Sequence, residues 1–113
     1  MPVALWALAG AGLCGCAGRL GRAQDAFEQA RYPDALRELR EIEGARSWPA
    51  EESARYALYR GLTHLALGDA RPASLWLRRA RAALERDSNV FDAAERGRLA
   101  AAWRAMGHMP GER

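Results

Sequence analysis

The stretch "YALYRGLTHLALGDARPASLWLRRA", Tyr56 to Ala80, decides the fold. Ala54, Leu58, Leu62 and Leu65 recur at helical steps and form one apolar stripe, which predicts a helix from the Glu51 region to Leu67. Gly68 then takes the position where a helix stops in a left-handed residue, and Asp69 follows as a turn or cap. The pattern resumes with Ala73, Leu77, Ala80 and Leu84 and predicts a second helix over 71–86. Two helices with so short a break pair as an antiparallel hairpin. Gly61 removes a side chain from the first helix and lets its neighbour approach closely.

The same punctuation extends in both directions. Toward the amino terminus, Leu20 to Arg31 reads as an amphipathic helix through Ala23, Phe27 and Ala30. Tyr32-Pro33-Asp34 breaks it, with Pro33 at a first-turn position that lacks no needed N–H. A second helix then runs to Glu43 through Leu36, Leu39 and Ile42, and Gly44 ends it. Ser47-Trp48-Pro49 connects to the next helix, where Ser47 is the expected cap and Glu51 and Glu52 suit the positive end of the dipole. Toward the carboxyl terminus, Asp87-Ser88-Asn89 is the expected cap of a last helix from Val90 to Met106, carrying Leu99, Ala102, Trp103 and Met106. Gly107 stops it, and 108–113 is a flexible tail. The expected fold is therefore all-α, about five helices in hairpins over 20–107. Composition agrees, because Val3, Ile42, Thr63 and Val90 are the whole β-branched set. Half the chain is apolar, but much of that is alanine, so the core is thin.

The quoted stretch resembles a tetratricopeptide repeat. Gly61 takes the small position of the first helix, Gly68-Asp69 the turn, Ala73 the small position of the second helix, and Leu77 and Ala80 its packing face. "ARYPDALRELREI", Ala30 to Ile42, is similar to the turn and second helix of a preceding repeat, with Tyr32 as turn aromatic, Ala35 as small residue, and Leu39 and Ile42 as packing face. Aligning Ala35 with Ala73 gives a spacing of 38 residues. Val90 to Gly107 stands as a first helix of a third repeat or as a capping helix. The sequence departs from the family at Arg60 and His64, where large apolar residues are usual, and no proline closes either second helix. The resemblance implies a short right-handed stack of hairpins that binds protein partners.

From Val3 to Ala17 the run VALWALAGAGLCGCA carries no charge. It is shorter than the roughly 20 apolar residues a transmembrane helix needs, and it has the length of a secretory apolar region. Leu13-Cys14-Gly15-Cys16 resembles the bacterial lipobox. The resemblance implies a signal peptide over 1–15, cleavage between Gly15 and Cys16, lipidation of Cys16, and a linker over 16–19. Ala17 in the second mature position implies the outer membrane rather than the inner one. The segment departs from the pattern in Met1-Pro2-Val3, where such signals carry Lys or Arg. Cys14 and Cys16 alone supply too few ligands for zinc, and a disulfide across one residue is strained.

All 17 basic side chains are arginine, against 14 acidic ones. Arg37, Glu38, Arg40, Glu41 and Glu43 alternate as on a solvated face. Arg78, Arg79 and Arg81 form the one dense basic cluster. No phosphate-cradling glycine loop or catalytic constellation emerges, and no cofactor or metal is expected. His64, mid-helix, reads as a core or partner-facing residue. Trp103 reads as core, and Trp76 beside Arg78 and Arg79 is the expected contact patch, since tryptophan and arginine dominate interface hot spots. The expected function is a non-enzymatic lipoprotein that binds an envelope protein and serves a pilus, secretion or outer-membrane machine. The alternative is a cytoplasmic module that binds nucleic acid or an acidic protein through Arg78, Arg79, Arg81 and Arg86. Missing base-stacking aromatics disfavour nucleic acid.

Overall fold

The computed structural model describes residues 18–44 and 48–107. The described residues form five helices and no strand: α1 over 18–28, α2 Tyr32–Glu41, α3 Ala50–Ala66, α4 Ala70–Arg86 and α5 Ala93–Ala105. The fold is all-α and built from helical hairpins. The chain divides into two units, Met1–Arg46 and Ser47–Arg113. The Cys14/Gly15/Cys16 segment, the Ser47 cap and the tail from His108 lie outside the described residues.

In the first unit, α1 buries Leu20, Ala23 and Ala26, and α2 buries Ala35, Leu36 and Leu39, with Ile42 just beyond it. Arg19, near the start of α1, pairs with Glu38 at 3.3 Å and with Glu41, both late in α2, so the two helices run antiparallel. The helix ends before Gln29, earlier than the apolar pattern predicts, and Ala30 is exposed rather than part of the buried stripe. Ala30 instead makes the turn. Its φ is 61°, its N–H donates to the Phe27 carbonyl at 2.9 Å, and the Arg31 N–H donates to the Ala26 carbonyl at 2.8 Å. This is the double hydrogen bond of a Schellman turn, with alanine where glycine is usual. Phe27 and Tyr32 close the turn with ring centroids 5.4 Å apart. Pro33 sits in the first turn of α2, as expected, and Asp34 accepts from Arg31 at 2.9 Å and Arg37 at 3.0 Å.

The second unit repeats that hairpin at greater length. Gly68 has φ 84° and donates to the Leu65 carbonyl at 3.0 Å, while Asp69 donates to the His64 carbonyl at 2.8 Å. The spacing of 38 residues that aligns Ala35 with Ala73 also aligns Ala30 with Gly68, Leu39 with Leu77 and Ile42 with Ala80. Both members of the last two pairs are buried, as are Leu20 with Leu58 and Ala23 with Gly61. α3 starts at Ala50 with Pro49 in the cap position and no side-chain cap. α5 begins three residues later than its apolar pattern suggests. Asp87 accepts from the Asn89 N–H at 3.0 Å to form a turn, and Val90 and Phe91 pack into the core as irregular chain. Asp92 then caps α5 through a reciprocal box with Glu95, at 2.8 and 3.1 Å.

Glu95 does more than cap. It is buried, and its carboxylate also accepts from the Tyr59 hydroxyl at 3.3 Å and from Arg55 Nε at 3.2 Å, both on α3. Arg98 donates to the same hydroxyl at 3.0 Å. A buried carboxylate with three donors offsets its desolvation, so α5 is fixed to α3 by a polar network beside Leu99, Ala102 and Trp103.

Candidate functional site

Helical spacing puts Trp76, Arg79, Ala82, Ala83 and Arg86 on one face of α4, and Ala50, Ser53, Ala54 and Ala57 on one face of α3. Because the helices are antiparallel and most of these side chains are small, a cleft of about 480 Å³ opens along their seam. Trp48 and Tyr56 complete its lining. The three rings form a chain: Trp48 and Tyr56 have centroids 5.5 Å apart, and Tyr56 meets Trp76 edge-on at 5.4 Å.

Two guanidiniums lie over the Trp76 ring, Arg60 at 5.0 Å and Arg79 at 4.6 Å from its centroid. Arg60 is buried. Its Nη1 donates to the Tyr56 hydroxyl at 2.7 Å and its Nε donates to His64 Nε2 at 3.1 Å. Accepting at Nε2 leaves the neutral His64 ring protonated on Nδ1, which faces Asp69 Oδ2 at 3.7 Å. Arg60 and His64, polar where the repeat pattern calls for apolar side chains, are thus interior members of one hydrogen-bonded line running from Tyr56 toward the turn. His64 is a core residue in this arrangement.

Of the expected patch, the structure brings Trp76 and Arg79 together in the cleft. Arg78 is exposed and does not line it. Trp48 and Tyr56 are the members that residue-by-residue reading missed. Arg86, expected from the sequence only as part of a surface for nucleic acid or an acidic protein, joins Arg79 in the cleft through the 76, 79, 82/83, 86 stripe of α4. A second, smaller cleft of about 250 Å³ is lined by Leu84, Leu99, Ala100 and Trp103 with Arg81, Arg96 and Arg104 around it. Arg81 lies 4.7 Å from the Trp103 ring and 3.6 Å from Glu85.

Among the described residues, no group of three or more His, Cys, Asp or Glu is placed to hold a metal ion, and no helix is long and apolar enough to cross a membrane. The cleft itself presents aromatic rings, guanidinium donors and a floor of small residues. No protein-family model, curated protein or solved structure matches this chain, so its reading rests on that geometry.

Proposed function

We propose that this chain is a lipid-anchored, tetratricopeptide-like interaction module of the bacterial cell envelope, without enzymatic activity. The lipobox-like Leu13-Cys14-Gly15-Cys16 supports the anchor, with residues 1–15 as the signal, Cys16 as the acylated residue and Ala17 favouring the outer membrane. The recurrence of turn, small residue and packing face after 38 residues supports the repeat reading. The observation that carries the binding role is the Trp76–Arg79 pair lining an open cleft on the second hairpin. Its partner is an envelope protein of a pilus, secretion or outer-membrane assembly.

Two measurements test this. Metabolic labelling with a palmitate analogue gives a labelled wild-type chain and an unlabelled Cys16→Ala variant; an unlabelled wild type overturns the anchor. A photo-crosslinking residue at position 78, beside the cleft, gives a discrete protein adduct in the host envelope; its absence overturns the module.

A further inference from the structure

We infer that the cleft between α3 and α4 binds an extended acidic peptide segment of a partner protein, with carboxylates on Arg79 and Arg86 and an apolar side chain seated between them. This rests on the interaction-module reading and specifies its ligand.

Charge complementarity carries the inference. Two arginines line the cleft and no acidic residue does. Among the described residues, no carboxylate lies within 4.0 Å of Arg79 or Arg86, although other arginines find one, as Arg81 does with Glu85. α4 as a whole carries five arginines against one glutamate.

Geometry sets the form of the ligand. Arg79 and Arg86 are seven residues apart, two helical turns on one face, so their Cα atoms are about 10 Å apart along the axis. In an extended chain of the polyproline II kind, with three residues per turn and about 3.1 Å per residue, side chains three residues apart share one side and stand about 9 Å apart. An acidic residue, two small or apolar residues, and a second acidic residue therefore match the pair. The Arg79 guanidinium carbon lies 4.6 Å from the Trp76 ring centroid, and a guanidinium held on a ring grips a carboxylate with two parallel bonds. Between the arginines, Ala82 and Ala83 line the cleft together with Ala54 and Ala57 of α3, leaving room for an aliphatic side chain. A base would need an open ring face for stacking, and guanidiniums already lie over Trp76. A flat anionic membrane would engage exposed Arg78 as readily as the concave seam.

The test uses the full chain in a mild non-ionic detergent and fluorescence anisotropy of the labelled peptide GSELAEGS. Binding is expected, weakening with salt, with GSKLAKGS inert. Arg79→Ala and Arg86→Ala each weaken it about tenfold, the effect of one charge-assisted contact. Ala82→Leu, which fills the seam, abolishes it while circular dichroism stays unchanged. Equal binding of the lysine peptide, indifference to the Arg79→Ala/Arg86→Ala pair, or binding of phosphatidylglycerol vesicles or oligothymidylate in place of the peptide overturns the inference. Loss of peptide binding with the position-78 adduct retained removes this inference alone; loss of both removes the module reading as well.

Discussion

Leu77 occupies the space a side chain at Gly61 would need: a Cβ on Gly61 would stand 2.6 Å from Leu77 Cγ and 3.1 Å from its backbone nitrogen. The α3–α4 hairpin is packed around this absence. Replacing the helical glycine with alanine gains about 1 kcal/mol of helix propensity. The overlap costs about 1–3 kcal/mol, and it wins here because the atoms in the way are a buried side-chain branch point and backbone. Gly61→Ala is expected to lower the melting midpoint by several degrees, at about 4–8 °C per kcal/mol for a domain of this size. In a Leu77→Ala background the two side-chain overlaps vanish and only the 3.1 Å backbone contact remains, so the cost of Gly61→Ala shrinks toward zero. Thermal melts of the four chains form the double-mutant cycle; additivity would refute the contact.

Ala30 and Gly68 hold the same left-handed turn position with different chemistry. An alanine there is strained by about 1–2 kcal/mol, partly offset by the lower chain entropy it gives the unfolded state. Ala30→Gly is therefore expected to stabilise by less than about 1 kcal/mol, and Gly68→Ala to destabilise by about 1 kcal/mol. Nothing lies within 4 Å of a Cβ at Gly68, so the second effect is conformational and not steric. Denaturant midpoints at unchanged slope would measure both, and matching signs would contradict the turn assignment.

Glu95 joins the cap of α5 to α3. Glu95→Gln keeps the shape but weakens charge-assisted bonds from Arg55 and Tyr59, at an expected cost of about 1–2 kcal/mol. Glu95→Ala also removes half of the capping box and leaves the Arg55 guanidinium without this partner, so about 3 kcal/mol or more is expected. The order Ala worse than Gln, read by melts and by Trp103 exposure to quencher, checks the network. Equal losses would reduce Glu95 to a cap.

Hydrogen bonds from Arg31 and then Arg37 hold the Asp34 carboxyl below the ordinary aspartate value of 3.8. The folded value is the lower one, so the ionised form is favoured by folding. This contribution is complete above the unfolded value and is lost as the pH falls below about 3.8 toward the folded one. Carbon-detected NMR titration should place the Asp34 midpoint below the ordinary aspartate value, and Arg31→Ala should raise it. A titration at the ordinary value would show the two guanidiniums to be solvated away.

Much of the helical framework was legible because its punctuation is local chemistry. Gly68 marks a stop, Pro33 a start, and the apolar steps of Leu36/Leu39 and Leu58/Leu62 mark buried faces. Where sequence reading slipped, two signals competed. Val90 and Phe91 look like the first apolar turn of α5, but the Asp92/Glu95 box sets the boundary and the pair packs as irregular chain. Ala30 gives no sign of a left-handed turn, because alanine has no preference for that conformation and the backbone hydrogen bonds to the Phe27 and Ala26 carbonyls accompany it only in the folded turn. Of the candidate site, Trp76 and Arg79 were legible as residue types. Trp48 and Tyr56 were not, because their meeting depends on where the Trp48 ring, ahead of α3, is placed in space and no local pattern records that. Arg60 and His64 stand out in sequence as departures from the repeat pattern, and only the hydrogen bonds among Tyr56, Arg60 and His64 explain them as interior residues.

The two Schellman turns also set an order of opening. A difference of about 1 kcal/mol between otherwise alike turns corresponds to roughly fivefold in the population of the open state. The unit with alanine at its turn also has the shorter helices, α2 having 10 residues against 17 in α4. Amide protons of α2, Leu39 among them, should then exchange with solvent before those around Leu77. The chain thus has one durable hairpin and one that breathes, two stability levels written on a single repeated plan.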